Sequence, residues 1–453
     1  MSDPHGAFAA RVLLADAAER SLDVQYYIWH GDQTGYLLFE ALWKAAERGV
    51  RVRLLLDDHN TAGLDATIAT LDAHPDIEVR LYNPLVHREF RPLNYLTGFT
   101  RVNRRMHNKS FTADNQVTIV GGRNVGNEYF GAGEGVLFAD LDVIAVGPVV
   151  REVSTAFDEY WNSPSAYPAA SLVGSPGVNA AAALQDKFKQ VHADPEARTY
   201  IQALLDTPQV RDMLKGHLPL EWADTRLLID DPAKTLDTSG RTDILLLTGL
   251  LDSIGGPERS FDLVSPYFVP GQKSTAALSA LAEHGVKVRV LTNSLAATDV
   301  GVVHAGYARR RPSLLRAGVR LYELKPSRET EAPEAMSKFA GSSAASLHAK
   351  TFAVDGRRLF VGSFNFDPRS ARLNTEMGLL IDSPALAGRL TALFDNKVPA
   401  ASYEVRINAE DGELEWMEQT VSGQAHHASE PATSWLHRAL IGLLSILPIE
   451  WLL

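Results

Sequence analysis

The chain contains the same pattern of residues twice, at the same spacing each time. The pattern is a histidine, a lysine two positions later, an aspartate, a glycine and an asparagine. The first copy is His107, Lys109, Asp114, Gly121 and Asn124, and the second is His348, Lys350, Asp355, Gly362 and Asn365. One His-x-Lys is uninformative, but two copies that agree at every spacing indicate an internal duplication. The duplication restricts the chain to folds with two similar halves, each of which supplies half of a site.

The similarity between the halves extends upstream of the motifs. Short apolar runs rich in β-branched residues flank helix-like segments at 21–58 and again at 260–294. Strands connected by helices are parallel and are covered by helices on both faces, whereas each motif has the form of an antiparallel hairpin. The sequence therefore predicts an α/β protein of two pseudo-twofold related α/β/α sandwich halves with mixed β-sheets. We expect the active site at the interface of the halves.

The repeats divide the chain into four predicted regions. The N-terminal half with the first motif extends over 10–165, and the C-terminal half with the second motif over 240–400. Residues 166–239 are rich in alanine, proline and charge, and we expect them to form a helical connector. Residues 401–453 are predicted to be a C-terminal extension.

The C-terminal extension combines three patterns. A strand-like stretch contains Asp411-Gly412 as a plausible hairpin turn, and a polar linker follows in which His426 and His427 are expected to be solvated coil. The tail from Trp435 to Leu453 is strongly apolar but is interrupted by charges and a proline, so it is a poor membrane-spanning segment. Two interpretations remain open for the tail: a helix docked in the core or at a dimer contact, or a monotopic anchor with Trp435 and Trp451 at head-group depth.

Composition excludes several classes of protein. The chain of 453 residues has no cysteine, so it has neither disulfides nor thiolate metal sites. Its net charge of -11 argues against broad binding of nucleic acid, which needs a basic surface. The first twenty residues lack the basic and apolar regions of a secretory signal and instead predict an amphipathic helix.

The residue types of the motif suit displacement at a phosphodiester. A neutral imidazole can attack phosphorus, and a second, protonated imidazole can donate its proton to the departing oxygen. Lys109 and Lys350 would neutralise the phosphate charge, and Asn124 and Asn365 would bind its oxygens. We expect no metal and no other cofactor, because the lysines already supply positive charge. Strand alternation is expected to place each histidine and its lysine on one face.

Each histidine also needs a group that holds its second nitrogen. The duplication aligns Asp140 with Glu376, each eight residues before a proline, and we assign one of them to each histidine, with Asp142 as the fallback for Asp140. The motif aspartates Asp114 and Asp355 are catalytic candidates, but a structural role in a turn is at least as well supported for them.

Other segments have two interpretations each. Two basic clusters, at 101–105 and 309–311, could attract anionic lipid head groups or form solvated helix faces. Tyr26, Tyr27 and Tyr267 lie near the end of the first strand of each half and could line a pocket or pack in the core. The small, polar segment 327–346 is interpreted as a loop that gates the second motif.

The strings LDVQYYIW, NRRMHNKSF, VGGRNVGNEYFGAGE, LHAKTF and VGSFNFDPRS resemble the phospholipase D superfamily over nearly the whole chain, and within it the bacterial class C cardiolipin synthases. The resemblance implies a covalent phosphohistidine, with His107 as the nucleophile and His348 as the acid. It also implies that each carboxylate comes from the opposite half, which pairs His107 with Glu376 and His348 with Asp140.

The implied reaction is transfer of a phosphatidyl group from one phospholipid to another, with phosphatidylglycerol and phosphatidylethanolamine as substrates. The expected partners are therefore phospholipids and, through the tail, the inner membrane surface of a bacterium, without nucleic acid. An accessory protein and the oligomeric state are left open. Hydrolysis of phospholipids is the alternative function, followed by a DNA phosphodiesterase and by a non-catalytic membrane scaffold.

Overall fold

The computed structural model describes residues 1–88, 90–133, 137–326, 345–420 and 423–446. The strands are β1 (Ser21–Ile28), β2 (Arg51–Asn60), β3 (Ile77–Tyr82), β4 (Ser110–Ala113), β5 (Val117–Gly121), β6 (Leu137–Ala139), β7 (Asp142–Val146), β8 (Ala166–Pro168), β9 (Asp224–Ile229), β10 (Ser260–Val264), β11 (Lys287–Asn293), β12 (Arg320–Leu324), β13 (Ala345–Leu347), β14 (Lys350–Val354), β15 (Arg358–Gly362), β16 (Met377–Asp382), β17 (Ser402–Ile407), β18 (Leu414–Thr420) and β19 (Gly423–His427). The helices are α1 (Pro4–Ala17), α2 (Gln33–Glu47), α3 (Asp65–Asp72), α4 (Leu93–Val102), α5 (Asn127–Phe130), α6 (Pro148–Trp161), α7 (Ala170–Val173), α8 (Ala180–Ala193), α9 (Pro195–Asp206), α10 (Pro208–Leu214), α11 (Leu246–Ile254), α12 (Gly271–Glu283), α13 (Gly301–Ala308), α14 (Arg311–Arg316), α15 (Pro368–Arg372), α16 (Pro384–Asn396), α17 (Val398–Ala401) and α18 (Trp435–Ile446), with a 3₁₀ helix at Pro232–Thr235.

The first half is built on a seven-stranded sheet, with the order β7-β5-β4-β1-β2-β3-β8 among the described residues. Strands β1, β2 and β3 are parallel, while β4 runs antiparallel to β1 and forms a hairpin with β5. The apolar strand residues that the sequence pattern marks, such as Val24 and Leu54, pack with Leu38 and Leu42 of α2 in one buried core.

The second half repeats this arrangement in a ten-stranded sheet, with the order β19-β18-β17-β12-β11-β10-β14-β15-β16-β9 in the described part of the chain. Strands β10, β11 and β12 are parallel, and the β14–β15 hairpin lies antiparallel to β10. The register is also repeated, because Phe261 lies opposite Val354 as Leu22 lies opposite Ala113. The two mixed sheets confirm the predicted fold class.

The halves meet through an apolar layer. Val120 and Val153 of the first half are buried in one cluster with Met377, Leu379 and Ile381 of β16. Burial of such side chains contributes roughly 1.5–3 kcal/mol each relative to exposure. The interface therefore holds the two motif hairpins against each other as a packed core.

The segments outside the halves also pair with the two sheets. Strand β8 pairs with β3, and β9 pairs with β16, so the connector predicted at 166–239 contributes an edge strand to each sheet. Strands β17 and β18 form the predicted hairpin around Asp411-Gly412, with Gly412 at a φ of 76°. The boundaries of the four regions stay a prediction.

The expectation that His426 and His427 lie in a solvated linker is wrong. Both residues belong to β19, which pairs with β18, and the His427 Nε2 lies 2.9 Å from a Glu418 carboxylate oxygen. Polar residues can form an edge strand because its outer face is solvated. Helix α18 follows, and residues after 446, including Trp451, lie outside the described residues. No helix in the described ranges is both long and apolar enough to cross a bilayer.

Candidate active site

The segment before the first motif histidine pairs with the other half. Met106 forms an isolated parallel bridge with Thr375, and the His107 amide donates to the Thr375 carbonyl at 2.9 Å. The next residue on that partner segment is Glu376, which is fully buried. Its Oε2 lies 2.8 Å from His107 Nδ1. The backbone bridge thus fixes which carboxylate meets this imidazole.

The second histidine is held in the equivalent way. Strand β13 pairs in parallel with β6, with Leu347 opposite Ala139, and the His348 amide donates to the Ala139 carbonyl at 2.8 Å. The residue that follows Ala139 is Asp140, and its Oδ2 lies 2.5 Å from His348 Nδ1. The structure therefore brings together both pairs proposed from the sequence, and each pair crosses between the halves.

Asp142, the fallback for Asp140, serves another purpose. Its Oδ2 accepts a hydrogen bond from Arg11 Nη2 at 2.9 Å and lies 3.3 Å from Arg123 Nη1. All three groups are buried, and such a pair of arginines neutralises a buried carboxylate. Asp142 thus links α1 to the first sheet and does not contact His348.

The two orienting carboxylates differ in their surroundings. Burial raises the pKa of Glu376 to about 7, although Lys109 and the hydroxyls of Ser363 and Ser370 act in the opposite direction. Burial alone would also raise the pKa of Asp140, but the charges of His348 and Lys350 hold that pKa below the ordinary aspartate value. Asp140 is therefore ionised at neutral pH, whereas Glu376 is close to half protonated.

The histidines differ accordingly. Burial and the charges of Lys109 and Lys350 hold the pKa of His107 well below its ordinary value, and the charge of His348 adds to this effect. Burial and Lys350 also lower the pKa of His348, but Asp140 opposes the change. Each histidine therefore lies in the field of both lysines and of the other half-site. His107 is neutral at neutral pH, and the carboxylate of Asp140 favours a proton on His348.

The two lysines are buried next to the histidines. Lys109 Nζ donates to the His107 carbonyl at 2.5 Å, and Lys350 Nζ lies 2.8 Å from His348 Nδ1. Burial lowers the pKa of Lys109 well below that of an ordinary lysine and the pKa of Lys350 to about 8, although nearby carboxylates oppose both changes. A bound phosphodiester would add negative charge and raise both values. His107 and Lys109 precede β4, so strand alternation does not account for their placement.

The motif asparagines are both buried but have different contacts. Asn124 Oδ1 accepts from the Ile28 amide at 3.1 Å, and its Nδ2 donates to the Tyr129 hydroxyl at 3.0 Å. Asn365 Oδ1 has no hydrogen-bond partner among the described residues. Asn124 thus supports the end of β1, and a role in binding phosphate stays a prediction for both.

The motif aspartates Asp114 and Asp355 bind backbone amides, and these contacts support the structural role that the sequence left open for them beside a catalytic one. Asp114 accepts hydrogen bonds from the amides of Glu19, Arg20 and Ser21 at 2.8–2.9 Å, where β1 begins. The Asp355 carboxylate likewise accepts hydrogen bonds from the backbone amides of residues 258–260. Both adopt positive φ angles, of 54° and 56°, in the hairpin turns. Asp114 lies in the turn after β4, whereas His107 precedes that strand.

The basic clusters are corrected in part. Arg105 is buried and bonds Asp57 at 3.0 Å, and Arg311 is buried against Glu323 and Glu430. Neither is a solvated lipid contact, because a buried guanidinium requires carboxylate partners. The partly exposed Arg101 and Arg104 bond carbonyl and amide oxygens instead.

Sequence reasoning missed the hydroxyls around Glu376. Ser363 Oγ donates to Oε2 at 2.5 Å and Ser370 Oγ donates to Oε1 at 2.7 Å. The residue equivalent to Ser363 in the first motif is Gly122, where an added Cβ would collide with the Asp140 carboxylate. The difference between Gly-Gly and Gly-Ser in the two motifs was the available signal, because it marks the position that contacts the carboxylate.

Aromatic rings form the walls of the site. The ring of Tyr27 contacts His107 edge-on, with centroids 4.9 Å apart, and Tyr129 and Phe138 lie 5.2 and 5.0 Å from the ring of His348. Tyr26 is instead a core residue whose hydroxyl accepts from Arg11 Nε, and Tyr267 donates to Asp299. Residues 345 and 346 of the segment 327–346, which was predicted to gate the site, belong to β13, and the rest of the segment lies outside the described residues.

One group in the described part of the chain has the spacing of metal ligands, namely His30, Asp32 and Glu128. Asp32 accepts hydrogen bonds from the amides of Gly35 and Asn127, and His30 lies 3.2 Å from Glu128. These contacts already explain the cluster as a cap of α2 with an ion pair.

Two crossed histidine–carboxylate pairs between duplicated α/β halves define a phospholipase D-type site. A family model described as "Cardiolipin synthase, PLD-like domain" matches residues 13–161 and 250–398. The chain belongs to this family of phospholipase D-like cardiolipin synthases. It is 50% identical over 447 residues to cardiolipin synthase C of Escherichia coli, covering 99% of this chain and 94% of that protein.

Two more distant proteins are also similar to the chain, one in sequence and one in fold. The chain is 27% identical to cardiolipin synthase A of Pseudomonas entomophila, over 90% of this chain and 69% of that protein. The crystal structure of phosphatidylserine synthase from Haemophilus influenzae has the same fold, with a TM-score of 0.60 at 16% identity, and the match covers 89% of this chain and 86% of that one.

Proposed function

We propose that the protein is a phosphatidyltransferase that makes cardiolipin from phosphatidylglycerol and a second phospholipid, phosphatidylethanolamine. The observation that supports this most strongly is the pair of crossed contacts His107–Glu376 and His348–Asp140, at 2.8 and 2.5 Å. They hold the Nδ1 atom of both rings, which leaves Nε2 of each ring for the reaction. The family to which the chain belongs supports phospholipids as substrates.

In the first step, Nε2 of His107 attacks the phosphorus of the donor lipid. The phosphorus–oxygen bond to the head-group alcohol breaks, and that oxygen takes the proton of His348. Nucleophilic attack suits His107, because burial and lysine charges keep its pKa low and the ring neutral. Proton donation is assigned to His348, because Asp140 beside it opposes the lowering of the His348 pKa by burial and Lys350 and so favours an imidazolium. Lys109 and Lys350 balance the charge that develops on the phosphate oxygens.

In the second step, a head-group hydroxyl of phosphatidylglycerol attacks the phosphohistidine, and His348, now neutral, takes its proton. The bond from phosphorus to His107 breaks, which releases cardiolipin and restores both histidines. Water could enter at the same step and give phosphatidic acid, so phospholipid hydrolysis is the alternative function.

Product analysis distinguishes the two functions. The purified protein is incubated with vesicles that contain acyl-labelled phosphatidylglycerol and phosphatidylethanolamine, and labelled lipids are separated by chromatography. Labelled cardiolipin, with one head-group alcohol released per cardiolipin, is the expected result. Phosphatidic acid as the sole labelled product would contradict transfer and support hydrolysis. The variant Asp355→Asn is the matched control, because its carboxylate lies in the second motif but binds only backbone amides there.

We further propose that the protein is peripherally bound to a bacterial inner membrane through its C-terminal tail. Ile441 of α18 is buried against Leu295 and Ala305, whereas Leu436, Leu440 and Leu443 are exposed on the other side. Deletion of residues 434–453 should weaken flotation with anionic vesicles. Substitution of all three exposed leucines by glutamine should also weaken flotation, while α18 stays docked through Ile441. Unchanged flotation of both variants would contradict the proposal that the tail is a membrane anchor.

A further inference from the structure

A second exposed apolar surface lies beside the first motif, far along the chain from the tail. Between residues 86 and 99, five large apolar side chains are exposed: Val86, Phe90, Tyr95, Leu96 and Phe99. Leu96 is 85% exposed and Val86 75%. Single exposed apolar residues are ordinary, but a continuous segment of them marks a surface that contacts another apolar phase. We call these five residues the 86–99 patch.

Polar contacts at the base of this segment keep it in place. Asn83 Nδ2 donates to the carbonyls of Arg101 and Arg104 at 3.0 and 2.6 Å, which closes the two ends of the segment on each other. Arg91 Nη1 donates to the carbonyls of Asp58 and His59 at 2.9 and 2.8 Å, at the end of β2. In α4, only Asn94 and Val102 are buried. Asn94 thus faces the protein together with Val102, whereas Tyr95, Leu96 and Phe99 are exposed.

The patch is connected to the catalytic centre through a short chain of contacts. The Tyr95 hydroxyl lies 3.3 Å from His59 Nδ1, and the adjacent Asn60 donates to the Tyr27 carbonyl at 3.4 Å. Tyr27 contacts the ring of His107. The patch therefore lies near the carboxyl ends of the parallel strands β1 and β2, where Tyr27 contacts His107.

The charge next to the patch indicates what covers it. Residues 86–104 contain four arginines and one glutamate, so the segment is net positive in an acidic protein. Within the described ranges, Arg91, Arg101 and Arg104 hydrogen-bond carbonyl, amide or hydroxyl oxygens but no carboxylate. Apolar side chains flanked by arginines match the interface of an anionic phospholipid bilayer.

We propose that the 86–99 patch docks on an anionic phospholipid bilayer and places the His107 half-site at the membrane surface. The inference rests on the proposed function, because a donor lipid whose acyl chains remain in the bilayer must bring its phosphate to His107. It is independent of the tail, since the two surfaces belong to different halves of the chain.

The test uses the full chain with the double substitution Leu96→Gln/Phe99→Gln, which removes apolar area without adding charge. Leu251→Gln is the matched control, because Leu251 is an exposed leucine on α11 that does not belong to the 86–99 patch. Binding to vesicles of phosphatidylglycerol and phosphatidylethanolamine is measured by flotation. Turnover is measured on the same vesicles and on monomeric dihexanoyl-phosphatidylglycerol, a short-chain lipid used below its micelle concentration.

Burial of one large apolar side chain in lipid increases the affinity for vesicles by about tenfold or more. The double variant should therefore bind vesicles at least about tenfold more weakly than the unsubstituted protein. Its turnover on vesicles should fall in parallel, while turnover of the monomeric lipid stays within about twofold of the unsubstituted protein. Leu251→Gln should change neither.

Unchanged flotation of the double variant would overturn the proposal. Equal loss on vesicles and on the monomeric lipid would also overturn it, because the residues would then act on the site rather than on the membrane. Unchanged flotation together with a shift from dimer to monomer in sedimentation would assign the patch to a second copy of the chain. If the unsubstituted protein turned over neither the vesicles nor the monomeric lipid, the proposed function would be refuted. The flotation measurement would still test the docking surface in that case.

Discussion

The unequal surroundings of the two orienting carboxylates make a measurable prediction for Glu376. Its pKa is about 7 in the folded protein, because burial disfavours the charge, against 4.5 for an ordinary glutamate. Between these values the folded state binds more protons than the unfolded state. Glu376 therefore makes its full contribution to the free energy of unfolding below pH 4.5, and this contribution is lost as the pH rises through 7. The whole loss is about 3 kcal/mol, at about 1.4 kcal/mol per pKa unit.

The substitution Glu376→Gln removes this titration while it keeps the shape of the side chain. Relative to the unsubstituted protein, the variant should become more stable by about 2–3 kcal/mol between pH 5 and pH 8, because only the unsubstituted protein loses the stability that protonated Glu376 contributes. Urea-induced unfolding at both pH values measures this difference. Glutamine itself changes the hydrogen bonds to His107, Ser363 and Ser370, but that change is present at both pH values and cancels.

Asp355→Asn is the control for this measurement. Its backbone amide partners hold the pKa of Asp355 below the ordinary value of an aspartate, so the group is ionised in both states from pH 5 to pH 8. The relative stability of this variant should therefore be the same at the two pH values. If Glu376→Gln behaves like Asp355→Asn, the carboxylate beside His107 is fully charged at pH 5, and the reasoning from burial is refuted.

Three further predictions concern the other motif residues. Asp114→Ala should lower the free energy of unfolding by about 2 kcal/mol, because three amides lose their acceptor and alanine disfavours a positive φ, while kcat per folded molecule is unchanged; a loss of kcat without loss of stability would restore its catalytic assignment. Gly122→Ser should reduce kcat by about 10- to 100-fold, because its Cβ displaces Asp140 from His348; unaltered kinetics would contradict the close packing. His107→Ala and His348→Ala should each abolish cardiolipin formation with little change in Tm, and substantial activity in both would exclude the two-histidine scheme.

The fold was largely predictable because the same local sequence patterns occur in both halves of the chain. Apolar runs with helices between them predict the parallel strands of each half, and the motif turns predict the hairpins, so the mixed sheets follow. What local patterns could not reveal is pairing at long range in the sequence. Strand β9 joins the second sheet beside β16, more than a hundred residues away, and β19 forms from a stretch that looks like linker.

The candidate site was predictable where the two halves agree and was missed where they differ. Matching spacing identified the histidines and aligned Asp140 with Glu376, while the resemblance supplied the crossing of the pairs. Two roles stayed open for the motif aspartates because spacing alone does not distinguish a residue that caps a strand from one that contacts a substrate. Ser363, one of the two serines that contact Glu376, was missed because its equivalent in the first motif, Gly122, has no side chain to compare.

A trapped intermediate tests the central claim most directly, namely that one histidine from each half acts on the same phosphorus. Phosphatidyl-p-nitrophenol has a leaving group that needs no proton, so the variant His348→Ala should still release one equivalent of p-nitrophenol and then stop. Peptide mass spectrometry after an alkaline quench should locate the phosphatidyl group on His107. A phosphatidyl group on another residue, or continued turnover with no adduct on His107, would contradict the account.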